Sequence, residues 1–204
     1  TYDRERRVTE KPVLYVYSPQ EQRLTVSVDV DGAIDTAYPA PDALETTDWG
    51  TRASWTVTAS PDGTLTDASG RTYPSLFWDG PVGQESPEEG FVVAREDAVP
   101  FLEEKLALLG LTDKEAADFI TFWAPRIRAN EYTFVSFDAS SYTAHARYSF
   151  TDEAGAPVEP DTFIRVFMTI RQAEATTQVL EQAFGPTPQR TGLVTVEWGG
   201  TEEQ

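Results

Sequence analysis

Residues 97–127 read DAVPFLEEKLALLGLTDKEAADFITFWAPRI, and this stretch decides the fold. Before Asp97 apolar residues recur at every second position; within the stretch they recur at every third or fourth. Val99, Leu102, Leu106 and Leu109 make one apolar stripe. Asp97 stands at the cap position, Pro100 is tolerated in the first turn, and Gly110 stops the helix. A second helix follows at once. Thr112 with Glu115 three residues on is a capping box, and Ala116, Ile120, Trp123 and Ile127, with Phe119 alongside, form its buried face. Pro125 has no amide proton and is expected to kink or end it. The spacing therefore predicts an αα-hairpin over about 97–129.

On both sides the period is that of strands. Val13 to Tyr17 is apolar at successive positions, the mark of a strand buried on both faces, whereas Leu24, Val26, Val28 and Val30 alternate with polar residues. Asp31-Gly32 turns the chain. Ala53–Thr58, Ser60-Pro61-Asp62-Gly63 and Thr64–Thr66 read as a hairpin, since proline presets the turn and glycine accepts positive φ. Arg71–Asp79 reads as one strand that Pro74 places at an edge or bends. Gly80–Gly90 reads as a polar loop, and Phe91–Ala94 as a short strand. Past Asn130, strands are expected at Tyr132–Phe137, Thr143–Thr151, Phe163–Ile170 and Gly192–Trp198, with a turn region at Asp152–Asp161. Gln172–Ala183 fits helix or extended chain equally.

Strands, a helical hairpin and strands again define an α+β fold, mainly antiparallel and sandwich-like, with the hairpin inserted at about 97–129. One domain over residues 1–204 is expected; the alternative is lobes at 11–95 and 131–200 flanking the hairpin. The 204 residues, 40% of them apolar and 12% aromatic, suffice for a substantial core. Cysteine is absent, which excludes disulfides, thiolate metal sites and cysteine nucleophiles. A formal charge of −18 repels phosphate backbones and anionic headgroups, so neither nucleic acid nor membrane insertion is expected. The opening segment Thr1–Glu10 has no apolar h-region, so any secretion signal is expected to lie outside this sequence.

Several segments taken together are similar to a known group. KPVLYVY (11–17), WTVTASPDGTL (55–65), YPSLFWDG (73–80), Gly90–Val93, the helical hairpin, RVFM (165–168) and VEWGG (196–200) resemble an uncharacterised family of bacterial extracellular proteins. The likeness spans nearly the whole chain. One departure is Ser18, which separates Tyr17 from Pro19 where the pattern has Tyr-Pro. The resemblance implies one fold and a surface location, and it transfers no catalytic residue.

Candidate chemistry is sparse. There is no G-x-S-x-G elbow, no Walker or Rossmann glycine pattern and no H-E-x-x-H. His145 is the one histidine, expected in a strand on the face shared with Thr143 and Arg147. It and Asp79 are the catalytic candidates. Asp79 follows Phe77-Trp78, whose rings would raise a carboxyl pKa. Asp29, Asp31 and Asp35 around Gly32 approach a calcium loop, but the ligand spacing and the bidentate glutamate of that loop are missing, so they read as an acidic turn. Glu85, Glu88 and Glu89 read as a solvated loop. Trp55, Tyr73, Phe77 and Trp78, with Asp79 and Glu89, are the binding candidates, as a sugar-stacking edge. Lys11 in the first strand, with Glu197 in the last as the acid that would move the proton, is a candidate for an isopeptide crosslink to an Asp or Asn side chain; the plainer reading of Lys11 is a strand-end salt bridge. No cofactor is implied.

The expectation is a secreted or cell-surface binding or structural module for a glycan or protein ligand. The competing expectation is an extracellular hydrolase that works with acidic residues on glycan or peptide.

Overall fold

The computed structural model describes residues 6–204, so the first five residues of the segment Thr1–Glu10 lie outside the described residues. The N-terminal half forms β1 (Arg6–Tyr17), β2 (Gln22–Val30), β3 (Thr36–Tyr38), β4 (Ala43–Thr46), β5 (Thr51–Ala59), β6 (Leu65–Thr66), β7 (Thr72–Tyr73), β8 (Leu76–Gly83) and β9 (Glu89–Ala94). Then come α1 (Ala98–Leu108), α2 (Asp113–Ile127), β10 (Tyr132–Ser136), α3 (Ser140–His145), β11 (Ala146–Asp152), β12 (Thr162–Ala173), β13 (Leu180–Glu181) and β14 (Val194–Glu202). The fold is α+β with mainly antiparallel sheets; among the described residues only β12 with β14 and β13 with β9 run parallel.

An eight-stranded sheet, β13-β9-β10-β12-β14-β1-β8-β3, is the middle layer. Its two faces explain why β1 is apolar at consecutive positions. Val13 and Tyr15 point to a core shared with α1 and α2, while Leu14 and Val16 point to a core shared with the second sheet. That second sheet, β11-β2-β5-β6-β7, also carries β4 on β5. β14 lies between β12 and β1, and β11 pairs with β2, so strands from the two β stretches interleave.

The hairpin forms as its spacing requires. Leu102, Leu106, Phe119, Trp123 and Ile127 are wholly buried against the large sheet. The capping box closes: the Glu115 amide donates to Thr112 Oγ1 at 3.2 Å and the Thr112 amide to Glu115 Oε1 at 2.9 Å. Gly110 ends α1 at φ +98°, a conformation natural to glycine. Asp97, by contrast, makes no side-chain cap, because a 3₁₀ turn at Arg95–Asp97 leads into α1 instead. Pro125 falls in the last turn of α2, which runs only to Ile127.

Four local expectations need correction. The Arg71–Asp79 segment does bend at Pro74, but as a break at Pro74-Ser75 into two strands: β7 ends the second sheet, while β8 lies inside the large one. β8 also continues to Gly83, through the start of the expected loop. Residues 140–145 are helical, not extended. Both the amide and the hydroxyl of Ser140 bond Asp138 Oδ1, at 2.9 and 2.6 Å, which starts a helical turn before β11. Short strands β3 and β4 also occur where no strand was expected; their residues are mostly exposed, so they show no alternation.

Candidate functional site

The aromatic binding candidates do not form one platform. Phe77 and Trp78 are consecutive in β8, so they point to opposite faces: Phe77 packs on the helical side, Trp78 between the sheets. Trp55 and Trp78 are 2% and 1% exposed, and their indole N–H groups donate inward, to Pro39 O and to the Tyr148 hydroxyl, each at 2.8 Å. Tyr73 is buried as well, with its hydroxyl donating to Asp67 at 2.9 Å and Tyr38 edge-on to its ring at 5.7 Å. Glu89 opens β9 and is exposed. It borders a cleft of about 550 Å³ with Glu85, Glu88, Asp138 and Ser141.

The three aspartates around Gly32 separate to three partners. Asp29 pairs with Arg52 at 2.8 Å, Asp31 Oδ2 lies 2.9 Å from His145 Nδ1, and the Asp35 amide donates to Asp79 O at 2.8 Å. Among the described residues no group of three or more His, Asp and Glu is placed to hold a metal ion. The Asp31–His145 contact has the form of a carboxylate orienting an imidazole, and the ring lies against Gly83. Lys11 and Glu197 are not brought together. Lys11 Nζ sits 4.9 Å above the Phe122 ring on the helical side, while Glu197 points between the sheets.

Glu197 is instead the centre of a buried polar network that the sequence reading missed. Arg165 and Glu197 are register partners in the parallel β12–β14 pair. Arg165 Nε donates to Glu197 Oε1 at 2.9 Å, and the Tyr142 hydroxyl to Oε2 at 2.9 Å. Arg165 Nη2 donates to Ala146 O at 2.9 Å, and Tyr142 stacks on Phe167 with centroids 4.1 Å apart. Burial alone would lower the Arg165 pKa, but the Glu197 charge outweighs it and the guanidinium is held above its ordinary range. Burial first, and Glu197 next, push the Tyr142 and Tyr148 phenols well up. The signal was present: one charged residue at an inward position in each of two apolar strands.

A second buried pair ties the C-terminal loop to the hairpin. The Glu115 carboxylate, fully buried, receives both terminal nitrogens of Arg190 and the Tyr17 hydroxyl. Burial raises the Glu115 pKa, yet these hydrogen bonds win and leave it below the usual glutamate value.

A groove of about 1590 Å³ lies at the carboxyl end of α2, where β14 finishes. Glu10, Asn130, Arg171, Gln172, Gln178 and Glu202 are among its lining residues. Arg171 is fixed on one wall, its guanidinium 3.7 Å over the Phe134 ring and bonded to Glu203 at 3.0 Å. The Glu10 pKa is raised, by burial above all; Arg126 opposes this, and the charges of Glu202 and Asp79 add to it. Asp79 is half-buried and also raised, by burial first, with a hydrogen bond from Thr36 opposing and Asp35 contributing. Trp78, its neighbour in β8, points to the opposite face. Among the described residues no helix is long and apolar enough to cross a membrane. No protein-family model, no curated protein and no solved structure matches this chain.

Proposed function

We propose that the chain is a secreted or cell-surface binding module that takes an extended polar ligand, a glycan or a peptide, in the groove at the carboxyl end of α2. The lining of that groove carries the reading. Asn130, Gln172 and Gln178 each offer a donor and an acceptor, and Glu10, Glu202 and Arg171 add charge. Such a surface complements hydroxyls and peptide groups better than apolar ligands. The volume exceeds that of a typical site for one small molecule, which suits several sugar rings or a few residues of extended peptide. The extracellular setting belongs to the same proposal and rests on the resemblance of the segments quoted from the sequence.

The test is a glycan array and a peptide array probed with the purified chain. Binding to a defined ligand class is expected, with Gln172→Ala plus Gln178→Ala weakening it roughly tenfold through loss of hydrogen bonds. Binding that these substitutions leave unchanged would exclude the groove.

One observation favours the hydrolase alternative. Asp79 and Glu10 are both held above the usual carboxylate value, by burial first and then by neighbouring carboxylates, Asp35 beside Asp79 and Glu202 and Asp79 beside Glu10, which is how a proton-donating acid is prepared. That reading requires turnover in a glycosidase and peptidase screen and its abolition in Asp79→Asn. Turnover untouched by Asp79→Asn would remove it.

A further inference from the structure

At the amino end of α2, a separate cleft of about 170 Å³ lies between the helix and the hairpin turn that follows β5. Tyr15, Tyr17 and Tyr73 form its inner walls, and Asp62, Lys114 and Asp118 stand exposed at its rim. Tyr15 and Tyr17 share one face of β1, with rings nearly parallel at 13° and centroids 6.4 Å apart. The turn closes against them because Gly63 has φ +88° and no side chain. A Cβ there would come 2.7 Å from Tyr17 Cε1.

What the cleft offers follows from where its protons go. The Tyr15 hydroxyl donates to Asp118 Oδ2 at 2.8 Å and accepts from Trp198 Nε1 at 2.9 Å. The Tyr17 hydroxyl donates to Glu115, and the Tyr73 hydroxyl to Asp67 at 2.9 Å. All three phenolic protons are therefore committed to carboxylates. The inner walls are left with aromatic rings and oxygen lone pairs, and two aspartates stand at the mouth. A neutral sugar needs donors from the protein for its own oxygens, and beyond the three committed phenols the lining side chains that could supply them are Thr64, Thr72 and Lys114. A cation needs what is there: carboxylates and electron-rich rings. The size agrees, since the cleft is below the range of drug-sized ligands and has room for one small group.

We propose that this cleft binds an organic ammonium group, either a free quaternary or primary amine or the side-chain amine of a peptide lysine. The site is independent of the groove, at the other end of the 15-residue helix α2, roughly 22 Å away. Lys114 is the resident positive charge at the mouth and competes with the ligand.

The test is an NMR titration of the full chain, read at the tyrosine rings. The probes are choline, its neutral isostere 3,3-dimethyl-1-butanol, and Nα-acetyl-lysine methylamide. Saturable binding of one or both cations is expected, with the neutral alcohol at least about tenfold weaker. Preference for choline identifies a free quaternary amine as the ligand, and preference for the lysine derivative identifies a peptide. Asp118→Asn and Asp62→Asn, both at exposed positions, weaken binding roughly three- to tenfold, and Lys114→Gln strengthens it roughly two- to fivefold. Equal binding of the neutral isostere, no saturable shift with either cation, or weaker binding in Lys114→Gln would overturn the proposal.

Discussion

Replacing Glu197 by glutamine is the sharpest perturbation of the layer between the sheets. Glutamine keeps the volume and removes the charge. Arg165, with a side chain only 16% exposed, then loses its counter-ion. Removing one member of a buried pair costs about 3–5 kcal/mol, because the remaining charge stays desolvated without compensation. Two features put the expectation at the lower end. Arg165 keeps its bond to Ala146 O, and glutamine can still accept from Tyr142. The assay is urea unfolding followed by tryptophan fluorescence. A cost of about 3 kcal/mol with an m-value of about 2–3 kcal/mol/M lowers the midpoint by roughly 1–1.5 M. Adding Arg165→Met removes the stranded charge, so the double variant should recover at least half of that loss, against the sum of the single effects. An unchanged midpoint in Glu197→Gln, or strict additivity of the two substitutions, would refute the pairing.

Other expectations rest on the helical hairpin and its charges. Trp123→Ala empties a fully buried site between α2 and the large sheet and should cost about 3–5 kcal/mol in the same urea assay. Thr112→Ala opens the capping box and should cost about 1 kcal/mol, with Thr112→Ser restoring most of it. Glu115 has a lowered folded-state pKa, so its contribution is present above the ordinary glutamate value and disappears as pH falls through the folded value. Thermal scans should show Glu115→Gln destabilised at pH 7 and converging on the parent chain in strong acid. Glu10 has the opposite sign. Its raised pKa makes the ionised form a burden at neutral pH that lifts as pH falls through the folded value, so Glu10→Gln should raise Tm at pH 7 and have no effect near pH 4.

What could be read from the sequence was what is local or periodic. The capping box spans four residues, and the consecutive apolar run of Val13 to Tyr17 required two covered faces, which the two cores supply. The misreadings share a cause. Ala144, Ala146, Tyr148 and Phe150 alternate through a helical turn that the Asp138–Ser140 side-chain bonds lead into, and a two-residue local bond is weaker than periodicity as a signal. The candidate site was less legible because its partners are distant in the chain. Asp31 meets His145 across 114 positions, and Tyr15 meets Asp118 across 103. Arg165 and Glu197 each stood out within an apolar strand, but their pairing depends on the parallel register of β12 and β14, which no local pattern specifies. The aromatic edge was misjudged for a simpler reason. Consecutive Phe77 and Trp78 cannot share a face in a strand, and large rings beside a second sheet are covered by it.

Every placement above depends on the eight-stranded sheet being covered on both faces, and amide hydrogen exchange read by mass spectrometry tests this directly. Peptides from β1, β12 and β14 should exchange only through global unfolding, orders of magnitude more slowly than the exposed strands β4 and β13. Exchange in β14 as fast as in β13 would contradict the account, because a middle layer cannot open without the whole molecule.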